Sequence, residues 1–161
     1  MANCGFILLE EDALQISKIL NGFLRETDAK SCLVIDRGGQ LIAVEGKSAQ
    51  LDTMSLSALA AGAFASAKEI ARLVGETEFT VLYHQGKKGH IHVSHVDDDT
   101  LMMAIFDDTT TVGIVRLYSR ETEERIAQVM KISRSRQRLP LDEIKDLDLG
   151  DSEDVFGQQG R

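Results

Sequence analysis

The strongest constraint on the fold is a stretch that offers no polar face. Leu56-Ser57-Ala58-Leu59-Ala60-Ala61-Gly62-Ala63-Phe64-Ala65-Ser66-Ala67 is almost entirely small or apolar. It reads as a long helix from Asp52, which can cap the free N–H groups of the first turn, to Gly75, a natural stop. Spacing of three and four puts Leu56, Leu59, Ala60, Ala63, Ala67, Ile70 and Val74 on one stripe, the expected core face. The opposite stripe of a surface helix should be charged. Here it reads Met54, Ala58, Ala61 and Ala65, with Gly62 and Ser66 beside it, and turns charged only at Lys68, Glu69 and Arg72. Either the helix is buried on both sides within one domain, or the second row is a contact surface that small side chains open to another backbone. The second is the expectation.

The rest of the chain supplies a sheet and two flanking helices. Glu10–Glu26 carries Leu14, Ile16, Ile19, Leu20, Phe23 and Leu24 at helical spacing. Ser31–Asp36 is apolar on both alternating faces, the pattern of a central strand covered on both sides. Arg37-Gly38-Gly39-Gln40 is a hairpin turn, and Leu41–Val44 returns. Phe79–Gln85 and His90–Val96 alternate about the turn Gly86-Lys87-Lys88-Gly89. Leu101–Phe106, after the acidic turn Asp97-Asp98-Asp99, is a second doubly apolar strand. Val112, Val115, Tyr118, Thr122, Ile126, Val129 and Met130 predict a last helix to about Ile132, with Asp107 and Asp108 expected to cap it. The order is α-β-β-α-β-β-β-α. Residues 1–133 form one domain on this reading, and 134–161 a basic-then-acidic tail, expected to be disordered when free.

Charge and chemistry narrow the function. A net charge of −8 on 161 residues argues against nucleic acid or an anionic membrane as the main partner. Cys4 and Cys32 lie far apart, and a reducing cytoplasm is the expected compartment. The first residues lack a basic, signal-like opening, and no apolar run is long enough to span a bilayer. Four histidines, His84, His90, His92 and His95, suggest a metal, but strand alternation sends His95 away from His90 and His92, so no metal is expected. They are read instead as facing solvent or an interface. Gly86-Lys87-Lys88-Gly89 joins two strands and opens no helix, so it is not a phosphate loop. No nucleophile elbow is visible. An enzyme with its own catalytic centre or a bound cofactor is not expected.

The ordered set of motifs resembles the roadblock/LC7 family, and within it the bacterial gliding-motility regulators of the MglB type. The matching residues are Val34–Ile42 around the hairpin, Leu51-Asp52-Thr53 with Ser55-Leu56, Ala61-Gly62, Leu73-Val74-Gly75-Glu76 and Glu78-Phe79. They continue with His84-Gln85-Gly86, Ile105-Phe106-Asp107-Asp108, Thr111–Leu117 and the acidic tail near Asp154-Val155-Phe156. The resemblance implies a profilin-like α/β sandwich: a five-stranded antiparallel sheet, the long helix on one face, the other two helices on the opposite face. It implies a homodimer paired through the long helices and through the strand carrying Phe79, Val81 and Tyr83. It also implies a partner, a Ras-like small GTPase of the MglA type held by two regulator subunits. Its GTP hydrolysis is stimulated without an inserted arginine finger, in control of motility or cell polarity.

Carried over by position, Met54, Ala58, Ala61, Gly62, Ala65, Ser66, Lys68, Glu69 and Arg72 form the GTPase and dimer surface. Lys68 and Glu69 stand where relatives often keep small residues, and can pair with charge on a matching partner. Tail contacts are expected at Ile144, Leu147 and Phe156, although the Leu141-Ile144-Leu147-Leu149 spacing fits a partner-induced helix and a solvated spacer equally. The alternative is a non-activating adaptor of the roadblock type. A small-ligand sensor of the PAS/GAF kind ranks below both, because doubly apolar central strands point to a filled core.

Overall fold

The computed structural model describes residues 7–137. Cys4 and the tail positions Ile144, Leu147 and Phe156 lie outside them. The elements are α1 (Glu10–Thr27), β1 (Ser31–Asp36), β2 (Leu41–Gly46), α2 (Thr53–Leu73), β3 (Val81–Gln85), β4 (His90–Asp97), β5 (Thr100–Phe106) and α3 (Val112–Gln137). Every expected element is present, in the expected order.

All neighbouring strands pair antiparallel, in the order β2-β1-β5-β4-β3. The two strands read as doubly apolar, β1 and β5, are adjacent in the middle, and nearly every residue in them is buried. Alternation then splits their side chains between two cores. Cys32, Val34, Met102, Ala104 and Phe106 pack under α1 and α3 with Ile16, Leu20, Phe23, Ile126 and Met130. Leu33, Ile35, Leu101 and Met103 pack under α2 with Ala60, Ala61 and Phe64. Burial pushes the Cys32 thiol far up, so it stays neutral, a core group.

Turn chemistry holds these layers in register. In the β1–β2 hairpin the Gly39 N–H donates to Asp36 O at 2.9 Å, and the Gln40 N–H donates to Asp36 Oδ1 at 2.8 Å. Gly39 has φ +88°, and a Cβ there would sit 2.8 Å from Ala58 Cα, so only glycine lets this turn lie against α2. In the β4–β5 turn the Asp99 N–H donates to Asp97 Oδ1 at 2.9 Å.

Three expectations change. Helix α3 runs past Ile132 to Gln137, because Ser133, almost fully buried, continues the stripe of Ile126, Val129 and Met130. Two arginines of the basic segment are thereby tied to the domain. Arg134 donates to Asp97 Oδ2 and Thr100 Oγ1, both at 2.7 Å, while Arg136 pairs with Glu11 at 2.8 Å and buried Asp12 at 3.1 Å. Second, Asp107 and Asp108 do not cap α3. The Thr111 hydroxyl accepts from the Ile114 N–H, whereas Asp107 serves its own turn at Thr109 and pairs with Lys30, and Asp108 meets His90 at 2.9 Å. Third, Phe79 lies ahead of β3, which starts at Val81. Among the described residues no helix is long and apolar enough to cross a membrane.

Candidate functional site: the outer face of the long helix

Helix α2 begins where the sequence places it. The Asp52 carboxylate accepts from the Ser55 N–H at 3.1 Å and from the Ser55 hydroxyl at 2.7 Å, and these bonds lower its pKa. It ends in a Schellman closure: the Glu76 N–H reaches Ala71 O at 2.9 Å, the Gly75 N–H reaches Arg72 O at 3.3 Å, and Gly75 sits at φ +82°.

The phase of the helix is the main correction. Its buried stripe is Ser57, Ala60, Ala61, Phe64, Ala67 and Ala71. Ala61, expected on the contact surface, faces the sheet; Leu59, Ala63, Ile70 and Val74, expected in the core, are exposed. Both stripes have helical spacing, so periodicity could not choose between them. The sheet chose: Leu33, Ile35, Leu101 and Met103 already fill the space beneath, and a helix presenting mostly Ala packs there with Phe64 as its one large anchor. The clue available in the sequence was the run of small residues at Ser57, Ala60, Ala61, Ala67 and Ala71.

What faces out is more apolar than expected. Met54 is 78% exposed, Leu59 71% and Leu73 76%, with Gly62, Ala63 and Ser66 between them. Gly62 has open space where a Cβ would stand, so it is not demanded by packing within this chain. Ala58 and Ala65 are exposed on the flank toward the strand turns. There α2 borders a cavity of about 410 Å³ lined by Arg37, Phe64, Lys68, Glu69, His95 and Asp98 among others. Glu69 and Arg72 pair at 3.2 Å on the exposed surface, a weak contact that leaves both side chains in water. On the α2 side of the sheet, Val44, Leu82, Ile91 and Ile105 are only partly covered. Strand β3 is an edge; Val81 is half-buried, and exposed Tyr83 turns its ring onto Phe106, centroids 6.2 Å apart.

The histidines divide by face as alternation separates them, but they do not all face solvent or an open surface as expected. His90 and His92 are buried on the α3 side, and the His95 ring packs tilted against Phe64 of α2, centroids 4.5 Å apart; of the four, only His84 is exposed.

The Roadblock/LC7 domain model matches residues 15–106, more than half of the chain. The chain belongs to the roadblock/LC7 family. Among solved structures, this roadblock protein is similar to Myxococcus xanthus MglB at 30% identity, covering 72% of this chain and 94% of that one, with a TM-score of 0.69. It is similar to the gliding protein MglB of Thermus thermophilus at 28% identity over 78% and 95% of the two chains, TM-score 0.71. An MglB described as having a tetrameric arrangement aligns at 26% identity over 80% and 97%, TM-score 0.76. The Acanthamoeba castellanii profilin IA shares the fold alone, at 10% identity over 72% and 96% and a TM-score of 0.51. No curated protein matches this roadblock chain by sequence alone.

Proposed function

We propose that this roadblock protein is a homodimeric regulator of the MglB type, which binds an MglA-like, Ras-like small GTPase with two subunits per GTPase and accelerates its GTP hydrolysis. The observation that carries the reading is the outer face of α2. Met54, Leu59, Ala63, Ile70 and Leu73 are too large a run of exposed apolar side chains for a surface meant to stay in water. The half-covered sheet residues Leu82, Ile91 and Ile105 and the open edge β3 enlarge the same unfinished surface. A second copy related by a two-fold axis buries such a self-complementary patch, and two α2 helices side by side make a platform for one GTPase.

Gly62, Ser66, Ala58 and Ala65 then set how closely the GTPase backbone approaches, and Lys68, Glu69 and Arg72 set its charge register. Acceleration in this scheme comes from holding the GTPase's own catalytic residues in place, so the regulator needs no catalytic centre. The test is single-turnover GTP hydrolysis by the cognate GTPase with and without saturating regulator. An unchanged rate with intact binding would leave the adaptor reading in its place; no binding at all would refute both.

A further inference from the structure

At the β3 edge of the sheet, β3, β4 and α3 border a half-open polar pocket. It measures about 420 Å³ and is lined by Thr80, Val81, His92, His95, Arg116, Ser119, Arg120 and Glu123. One water's share of liquid is about 30 Å³, so the space suits a small ligand as well as a water cluster. His92 is 1% exposed, yet neither ring nitrogen has a hydrogen-bond partner, and the buried Ser119 hydroxyl lacks one too. Three polar atoms shut away without partners are a substantial penalty unless something occupies the pocket.

The kind of occupant follows from what those atoms need. Burial, and then the positive charge of Arg116, push the His92 imidazole down to about 4, so near neutral pH it is uncharged. A neutral imidazole presents one donor and one acceptor. Arg116 and Arg120, one helical turn apart, bring two guanidinium groups to the mouth. The single carboxylate there, Glu123, already accepts from the Ser94 hydroxyl. The pocket therefore carries an excess of positive charge and several donors.

We propose that this pocket binds a small phosphate-like oxyanion, with inorganic phosphate as the simplest case. Its oxygens accept from the guanidinium groups of Arg116 and Arg120, from the Ser119 hydroxyl and from the one His92 ring N–H that faces the pocket. A carboxylate of single charge offers fewer oxygens and less charge to the two guanidinium groups and is held more weakly.

The experiment uses the full chain, with the His92 ring followed by NMR and affinity measured by calorimetry. Inorganic phosphate is titrated in, with potassium chloride and acetate at matched ionic strength. A saturable shift of the His92 ring with phosphate is expected, with acetate roughly tenfold weaker or worse. Both arginines are exposed, so the double variant Arg116→Gln/Arg120→Gln should stay folded and lose about tenfold or more in phosphate affinity. No response at His92, an equal response to chloride, or an unweakened double variant would overturn the proposal. Acetate binding as tightly as phosphate would overturn the assignment to a phosphate-like oxyanion.

Discussion

The two faces of α2 can be separated by a pair of substitutions five residues apart. Phe64 is buried among Leu33, Ile35, Leu101 and Met103, with its ring on His95. Truncating it to Ala leaves a cavity in a close-packed layer and should cost about 3–5 kcal/mol of subunit stability. Leu59, 71% exposed, loses almost no buried area within the subunit, so Leu59→Arg should change subunit stability by no more than about 0.5 kcal/mol. If the outer face pairs two copies, wild-type unfolding must depend on protein concentration, by about 1.4 kcal/mol per dimer for each tenfold dilution. Leu59→Arg should abolish that dependence and leave the rest; Phe64→Ala should lower stability at every concentration. Urea denaturation at several protein concentrations, with sedimentation to follow the dimer, measures both. A loss for Leu59→Arg equal to that for Phe64→Ala and independent of concentration would refute the assigned phase. A monomeric wild type with no concentration dependence would refute the pairing.

Ala65→Arg should keep native circular dichroism while weakening GTPase binding in a pull-down or titration, since Ala65 is exposed beside the groove at Lys68 and Glu69; unfolding would place that row in the core. Gly46→Ala should destabilise by more than about 1–3 kcal/mol in urea melts, since Gly46 has φ +95° and a Cβ would stand 2.3 Å from Lys30 O. His92 is held neutral, its pKa lowered from 6.5 to about 4, so the unfolded chain binds more protons between those values. The stabilisation is complete above pH 6.5 and is lost as pH falls toward 4; His92→Gln should flatten that part of a stability-versus-pH curve, and an unchanged slope would assign the acid sensitivity elsewhere. Asp52, whose pKa is lowered by its bonds to Ser55, stabilises above the ordinary carboxylate range and less as acid protonates it; Asp52→Ala should lower the melting temperature at neutral pH and remove that acid dependence.

Sequence pattern determined the element order, the two central strands and the ends of α2. Each of these rests on interactions between residues near one another in the chain: alternation along β1 and β5, the Asp52–Ser55 cap, the left-handed Gly75. The resemblance to relatives placed the expected contact surface on α2. Tertiary structure decided which side of that helix is left exposed. Periodicity marks stripes but cannot weigh one apolar stripe against another; the bulk of Leu33, Ile35 and Met103 across the gap did so, admitting the Ala-rich stripe and leaving Leu59, Ile70 and Val74 outside. The same cause moved the histidines. Alternation separated His92 from His95, but only the docking of α3, which brings Ser119, Arg116 and Glu123 over β4, turned His92 from a surface group into a buried one. It also drew Arg134 and Arg136 out of an expected tail and onto Asp97 and Asp12. Local chemistry writes caps, turns and strand faces into the chain; the choice between equally apolar surfaces is made by volume and charge that only meet once it is folded.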